Sequence, residues 1–179
     1  MAPSRTLVTG GVRSGKSGYA ERLLTKVERV RYVAPGPVPD PAVDAEWADR
    51  VARHRERRPA RWQTVETTDL VLALADPPAA VLIDCLGTWV TAVVDELGAW
   101  DEPLAQWQPD FDARLTGLVE AWTSCPATLV AVTNEVGWGV VAAYRSGRTF
   151  ADLLGRTNAT LARHCDDVVL MVAGRPLRI

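Results

Sequence analysis

Short apolar runs recur along this chain, and stretches with helical spacing fill the gaps between them. Aliphatic and β-branched residues concentrate in Arg5–Thr9, Val30–Ala34, Trp62–Val65, Ala80–Asp84, Thr128–Thr133 and Val168–Val172. Runs of that length and composition read as buried strands. Ser17–Thr25, Ala42–Glu56, Asp69–Ala75, Thr88–Leu97, Asp110–Thr123 and Thr149–His164 read as helices. Strands alternating with amphipathic helices predict an α/β fold with a mainly parallel sheet. The proline clusters Pro35–Pro41 and Pro77–Pro78 mark loops rather than a domain boundary, and no internal repeat interrupts the pattern. A single domain over residues 1–179 is the expectation.

In such sheets ligands bind beyond the carboxyl ends of the strands, and that is where the chemistry-bearing residues fall. Gly10-Gly11-Val12-Arg13-Ser14-Gly15-Lys16-Ser17 follows the first strand and opens the first helix. Two glycines five apart, then Lys and a hydroxyl residue, is the Walker A spacing in the context it requires. Glycines allow the turn to direct backbone N–H groups at a phosphate, and the helix adds its positive end. Lys16 would reach the β- and γ-phosphates and Ser17 would hold Mg²⁺. The apolar strand Val81–Asp84 ends in a carboxylate, either the second Mg²⁺ ligand or a cap for the next helix.

Three further segments carry candidate chemistry. Glu46–Trp62 places His54 among Arg50, Arg53, Arg55, Arg57, Arg58 and Arg61. Such a segment is either a solvated basic helix or a phosphate clamp. Neighbouring cations disfavour imidazolium, so His54 would stay neutral and nucleophilic, able to form a phosphoramidate. Thr133–Gly139 (TNEVGWG) offers Glu135 as a general base, or simply begins a loop. Arg148–Asn158 reads as helix, with Asp152 and Arg156 spaced for an ordinary surface pair. Trp89 and Trp138 neighbour the candidate site, although tryptophans more often serve packing.

Composition narrows the function classes. A formal net charge of −2 provides no general field for nucleic acid or an anionic membrane. The basic segment also lacks the interleaved aromatics of a nucleic-acid surface. Three scattered cysteines, with no CxxC pair, suggest free thiols in a reducing cytoplasm. A strand begins almost at once, which leaves no room for a signal peptide, and no apolar run approaches membrane-spanning length. A GTPase switch would need an NKxD run, which this chain does not contain.

With these residues together, the chain resembles the bifunctional adenosylcobinamide kinase/adenosylcobinamide-phosphate guanylyltransferase family of cobalamin biosynthesis, over nearly its whole length. The segment TGGVRSGKS resembles the family's Walker A. Glu46, Arg50, Val51, His54, Arg55, Arg58, Pro59, Trp62, Thr64 and Glu66 resemble its second, far more specific signature. DCLGTWVT, TNEVGWGVV and the spacing of Asp152, Gly155 and Asn158 resemble the remaining segments. The resemblance implies a RecA-like P-loop domain assembled as a homotrimer. It implies a kinase that phosphorylates adenosylcobinamide with ATP or GTP, and a transferase that moves GMP from GTP through a guanylylated histidine, here His54. Nucleotide contacts would then fall on Gly10–Ser17, on Ala34, Pro35 and Gly36, on Arg55, Glu56, Arg57 and Arg58, and on Asp84. Pro35, Gly87, Ala92, Ala142, Ala151 and Ala159 depart from the family's usual residues. The alternative is a monofunctional P-loop kinase in which His54 is a surface residue.

Overall fold

The computed structural model describes residues 3–36, 42, 45, 49, 52 and 58–179. Seven strands form one sheet: β1 (Arg5–Gly10), β2 (Val30–Ala34), β3 (Gln63–Glu66), β4 (Ala80–Asp84), β5 (Thr128–Val132), β6 (Asp167–Val172) and β7 (Arg175–Arg178), in spatial order β3-β2-β4-β5-β1-β6-β7. All neighbours pair in parallel except β6 and β7, which form an antiparallel hairpin. The expected mainly parallel α/β fold is therefore present, with β5 inserted between the strand that leads into Gly10 and the strand that ends in Asp84.

Helices cover both faces. α1 (Lys16–Leu23) lies on one, and its Ala20, with Leu24 just beyond its end, packs with Val8, Tyr32, Leu82, Val130 and Met171. The other face carries α2 (Leu70–Leu74), α3 (Leu86–Glu96), α4 (Leu104–Ser124) and α5 (Arg145–Ala162), around Leu7, Val33, Ile83, Trp89, Phe111, Trp122 and Leu154. Alternation along the strands makes this division. Leu7 faces one layer and Val8 the other, as a period of two requires. The interior strand β4 has its first four residues, Ala80–Ile83, at 0–1% exposure, because both of its faces are covered.

Several elements differ from their expected bounds. α3 starts at Leu86 rather than Thr88. The Thr88 side chain folds back on the residue before the helix, accepting from the Cys85 amide at 3.3 Å and donating to the Cys85 carbonyl at 2.7 Å. α4 begins at Leu104 rather than Asp110 and runs through Pro109. Proline deletes one hydrogen bond there, yet Trp107 and Phe111 on either side are buried and hold the helix to the core. α5 starts at Arg145, a full turn before Thr149, and β7 was not expected from its exposed, charged sequence. The Ala42–Glu56 helix lies largely outside the described residues. No described helix is long and apolar enough to cross a membrane.

Candidate active site

The turn between β1 and α1 is built around glycines at two positions. Gly10 has φ +145°, and a Cβ there would sit 2.5 Å from the Met171 carbonyl oxygen on the neighbouring strand. Gly15, the residue before α1, is left-handed at φ 93°. The Ser14 amide donates to the Gly11 carbonyl at 3.3 Å, and the Tyr19 amide donates to Gly15 at 3.0 Å to start the helix. The hairpin turn between β6 and β7 braces the loop from the side, its Gly174 amide donating to the Ser14 carbonyl at 3.0 Å. Lys16 is 8% exposed and its Nζ spans the loop to the Gly11 carbonyl at 2.7 Å. The Ser14 hydroxyl is buried with no hydrogen-bond partner among the described residues, an unsatisfied donor inside a loop of amides. Together these have the form of an anion cradle.

Two carboxylates flank the cradle on opposite faces of the sheet. Asp84 ends β4 level with Val132 of β5, and Val132 is level with Val8 of β1. Two strand spacings, about 10 Å, therefore separate Asp84 from Val8, two residues before the end of β1. Asp84 shares the α1 face with Leu82, and its Oδ2 accepts from the Tyr32 hydroxyl at 2.9 Å. Glu135 lies beside the cradle, its amide donating to the Gly10 carbonyl at 3.1 Å. Its Oε2 accepts from Thr9 Oγ1 at 3.2 Å, on the face that carries α5. A buried polar network holds the segment before Glu135. Thr133 Oγ1 donates to Asn158 Oδ1 at 2.6 Å, and Asn158 Nδ2 donates to the Asn134 carbonyl at 3.0 Å.

The pairing of a phosphate cradle with these acids suits nucleotide chemistry, and the sequence carries a wider match. Residues 6–179 match the family model described as cobinamide kinase / cobinamide phosphate guanyltransferase. This chain belongs to that family. The bifunctional adenosylcobalamin biosynthesis protein CobU of Salmonella typhimurium is 39% identical over 97% of this chain and 98% of its own length. Its Escherichia coli counterpart is 38% identical over the same shares, and CobP of Pseudomonas aeruginosa is 34% identical over 97% and 95%. Among solved structures, an ATPase of a bacterial type III secretion system superposes with TM-score 0.58 at 10% identity, over 94% of this chain and 51% of that one. That likeness speaks to the P-loop fold alone.

Within this family member the sequence candidates divide into three groups. The cradle residues Gly10–Ser17 and the acids Asp84 and Glu135 meet at one sheet edge. Ala34, Pro35 and Gly36 leave β2 at the same edge, with Pro35 buried. Arg58 reaches it as well, its guanidinium carbon 3.6 Å from the centroid of the Tyr32 ring. His54, Arg55, Glu56 and Arg57 lie outside the described residues, as do Glu46, Arg50 and Val51. The departure at Gly87 is undemanding, since a Cβ there would make ordinary contacts at 3.7 Å.

One expectation is corrected. Arg156 pairs with Asp112 of α4 rather than with Asp152, because the guanidinium lies between the helices, over the Phe111 ring. Trp89 is a core residue: it is 3% exposed, stacks obliquely on Phe111 at 5.9 Å and donates its indole N–H to the Thr68 carbonyl at 3.1 Å. Trp138 is exposed. Sequence reading passed over Tyr32 and Thr9, although a tyrosine inside an apolar strand signals a buried polar handle that needs a partner.

Proposed function

We propose that this chain carries both activities of its family in one domain. It phosphorylates the aminopropanol hydroxyl of adenosylcobinamide with ATP or GTP. It then transfers GMP from GTP, through His54, onto that phosphate, giving adenosylcobinamide-GDP and pyrophosphate. The observation that carries this reading is the phosphate cradle, flanked by Asp84 and Glu135, in a chain whose match to a kinase/guanyltransferase family runs over residues 6–179. That match favours two activities over the monofunctional kinase.

The residues divide the work. The amides of Gly10–Ser17 and the Lys16 ammonium take the β- and γ-phosphates, and the Ser14 hydroxyl has a donor left to give them. Ser17 and Asp84 offer a hydroxyl and a carboxylate, the hard oxygen donors that Mg²⁺ selects. Among the described residues no group of three or more His, Cys, Asp or Glu makes a self-sufficient metal cage. Bound there, Mg²⁺ would neutralise triphosphate charge. For phosphorylation Glu135, held at the cradle by Thr9 and the Gly10 carbonyl, takes the proton from the attacking hydroxyl. For GMP transfer the neutral His54 imidazole attacks the α-phosphorus. An N–P bond forms, the bond to the α–β bridging oxygen breaks, and pyrophosphate leaves. A phosphate oxygen of the corrinoid then displaces the imidazole. Arg55, Arg57 and Arg58 clamp phosphate oxygens, and Glu56, Ala34, Pro35 and Gly36 complete the nucleotide contacts.

The test is to incubate the protein with α-labelled GTP and Mg²⁺, denature it, and measure protein-bound label. Acid-labile, alkali-stable label that vanishes in His54→Ala is the expected result. No label in a protein that still phosphorylates adenosylcobinamide would leave only the kinase. A homotrimer is part of the proposal, supported by the exposed apolar run Trp138, Val140, Val141 and Tyr144. A monomeric mass by light scattering would refute it. A cytoplasmic setting is supported by the free thiols of Cys85, Cys125 and Cys165.

A further inference from the structure

Tyr32 occupies an unusual position for an aromatic side chain in this core. It stands on β2 opposite Leu82 of β4, so the strand period brings its hydroxyl alongside Asp84, two residues further on the same face. The residue is 2% exposed, and its hydroxyl donates to Asp84 Oδ2 at 2.9 Å. A phenol hydroxyl is a donor and a carboxylate oxygen an acceptor, so the bond engages one of the two Asp84 oxygens. Against the ring lies Arg58, its guanidinium carbon 3.6 Å from the centroid, within cation–π range. Arg58 also donates to Thr64 Oγ1 of β3 at 2.9 Å. One side chain therefore touches both the carboxylate at the end of β4 and an arginine of the basic segment.

A carboxylate turns easily about its last torsion, and a ligand of a metal ion works best when an outer hydrogen bond fixes that torsion. We propose that Tyr32 is a positioning residue that orients the Asp84 carboxylate toward a divalent cation and, through its ring, docks Arg58 at the same sheet edge. This rests on the reading above, in which Asp84 serves the metal–nucleotide complex. It adds that the metal ligand and the arginine are set by a shared support. The two contacts use different parts of Tyr32, so they can be separated by substitution. Tyr32→Phe deletes the hydroxyl and keeps the ring; Tyr32→Leu deletes both.

The experiment titrates the whole protein with a fluorescent GTP analogue, first in EDTA and then at increasing Mg²⁺, for the parent, Asp84→Asn, Tyr32→Phe and Tyr32→Leu. Parent protein should bind more tightly as Mg²⁺ rises, and Asp84→Asn should lose most of that gain. Tyr32→Phe should bind as the parent does in EDTA and need about tenfold more Mg²⁺ for half of the gain, as outer-sphere partners of metal ligands typically require. Tyr32→Leu should repeat that shift and also bind more weakly in EDTA, because Arg58 has lost its platform. A Tyr32→Phe titration that overlays the parent, while Asp84→Asn is shifted, overturns the positioning role and spares the reading of Asp84. Equal weakening of Tyr32→Phe with and without Mg²⁺ also overturns it, since a merely structural side chain behaves so. Unchanged EDTA binding in Tyr32→Leu removes the Arg58 half. Parent and Asp84→Asn with identical responses to Mg²⁺ would instead sink the Asp84 assignment itself.

Discussion

Replacing Gly10 with alanine adds one carbon to a backbone that has no room for it. The new Cβ would lie 2.5 Å from the Met171 carbonyl oxygen, 3.0 Å from Ser14 Oγ and 3.2 Å from the Met171 amide nitrogen. Two of these three atoms are backbone of β6, and Gly10 is paired with Met171 in the ladder, so relief requires opening the β1–β6 register. The φ of +145° is also a conformation that side-chain-bearing residues rarely adopt. Overpacking costs about 1–3 kcal/mol and a strained backbone a similar amount, together about 2–6 kcal/mol. For a chain of 179 residues that corresponds to a fall of about 4–24 °C in melting temperature. Gly11→Ala is the matched control, since a Cβ there meets nothing within 4 Å. Thermal unfolding with and without GTP and Mg²⁺ reads both effects. Gly10→Ala should melt early and lose the stabilisation by nucleotide, because any shift of Gly10 moves the loop amides. If Gly10→Ala and Gly11→Ala melt together, the steric account of the cradle is wrong.

Thr133→Val keeps the shape of the side chain but strands the buried Asn158 Oδ1, now bonded to Thr133 at 2.6 Å. Denaturant titration should show a loss of about 1–3 kcal/mol, the usual cost of leaving a buried acceptor unmade. Alkaline stability should follow Cys165, whose pKa is pushed from 9.0 to about 12 by burial first and by Asp166 next. The folded protein resists thiolate formation more than the unfolded chain does. The stabilisation is thus full below pH 9 and is lost as the pH rises toward about 12. Cys165→Ala should therefore show a shallower fall in urea midpoint between pH 8 and 11 than the parent, and a slope equal to the parent's would rule out this linkage.

Much of the fold could be read because apolar runs and strand ends coincide. Val30–Ala34 and Ala80–Asp84 end where the sequence predicts: the second is an unbroken aliphatic run closed by Asp84, and the first, although it contains Arg31, keeps Val30, Tyr32 and Val33 before the proline-rich stretch that starts at Pro35. Helix starts were harder to place. Pro109 and Gly147 look like breaks, yet α4 begins five residues before Pro109, with Trp107 buried in between, and α5 begins two before Gly147, where Arg145 donates to the Asp101 carbonyl at 2.9 Å. β7 is legible only through its partner, since RPLR has neither an apolar period nor a buried face. At the site, the Walker A spacing predicted the loop, and the strand carrying Asp84 predicted where that acid would stand. The partners of these groups were not legible. Tyr32 meets Asp84 across two strands and Asn158 meets Thr133 from a distant helix, contacts that arise only when the sheet order is known.

The bond from Gly174 to Ser14 has a practical consequence. It ties the outermost hairpin of the sheet to the loop beneath it, so a displacement of that loop would tug on the turn. Arg175 stands next to the tie and points into solvent. A dye attached there after substitution to cysteine would sit off the reaction path while remaining mechanically connected to it. Its emission could follow the arrival and departure of a nucleotide in real time, without altering either reactant.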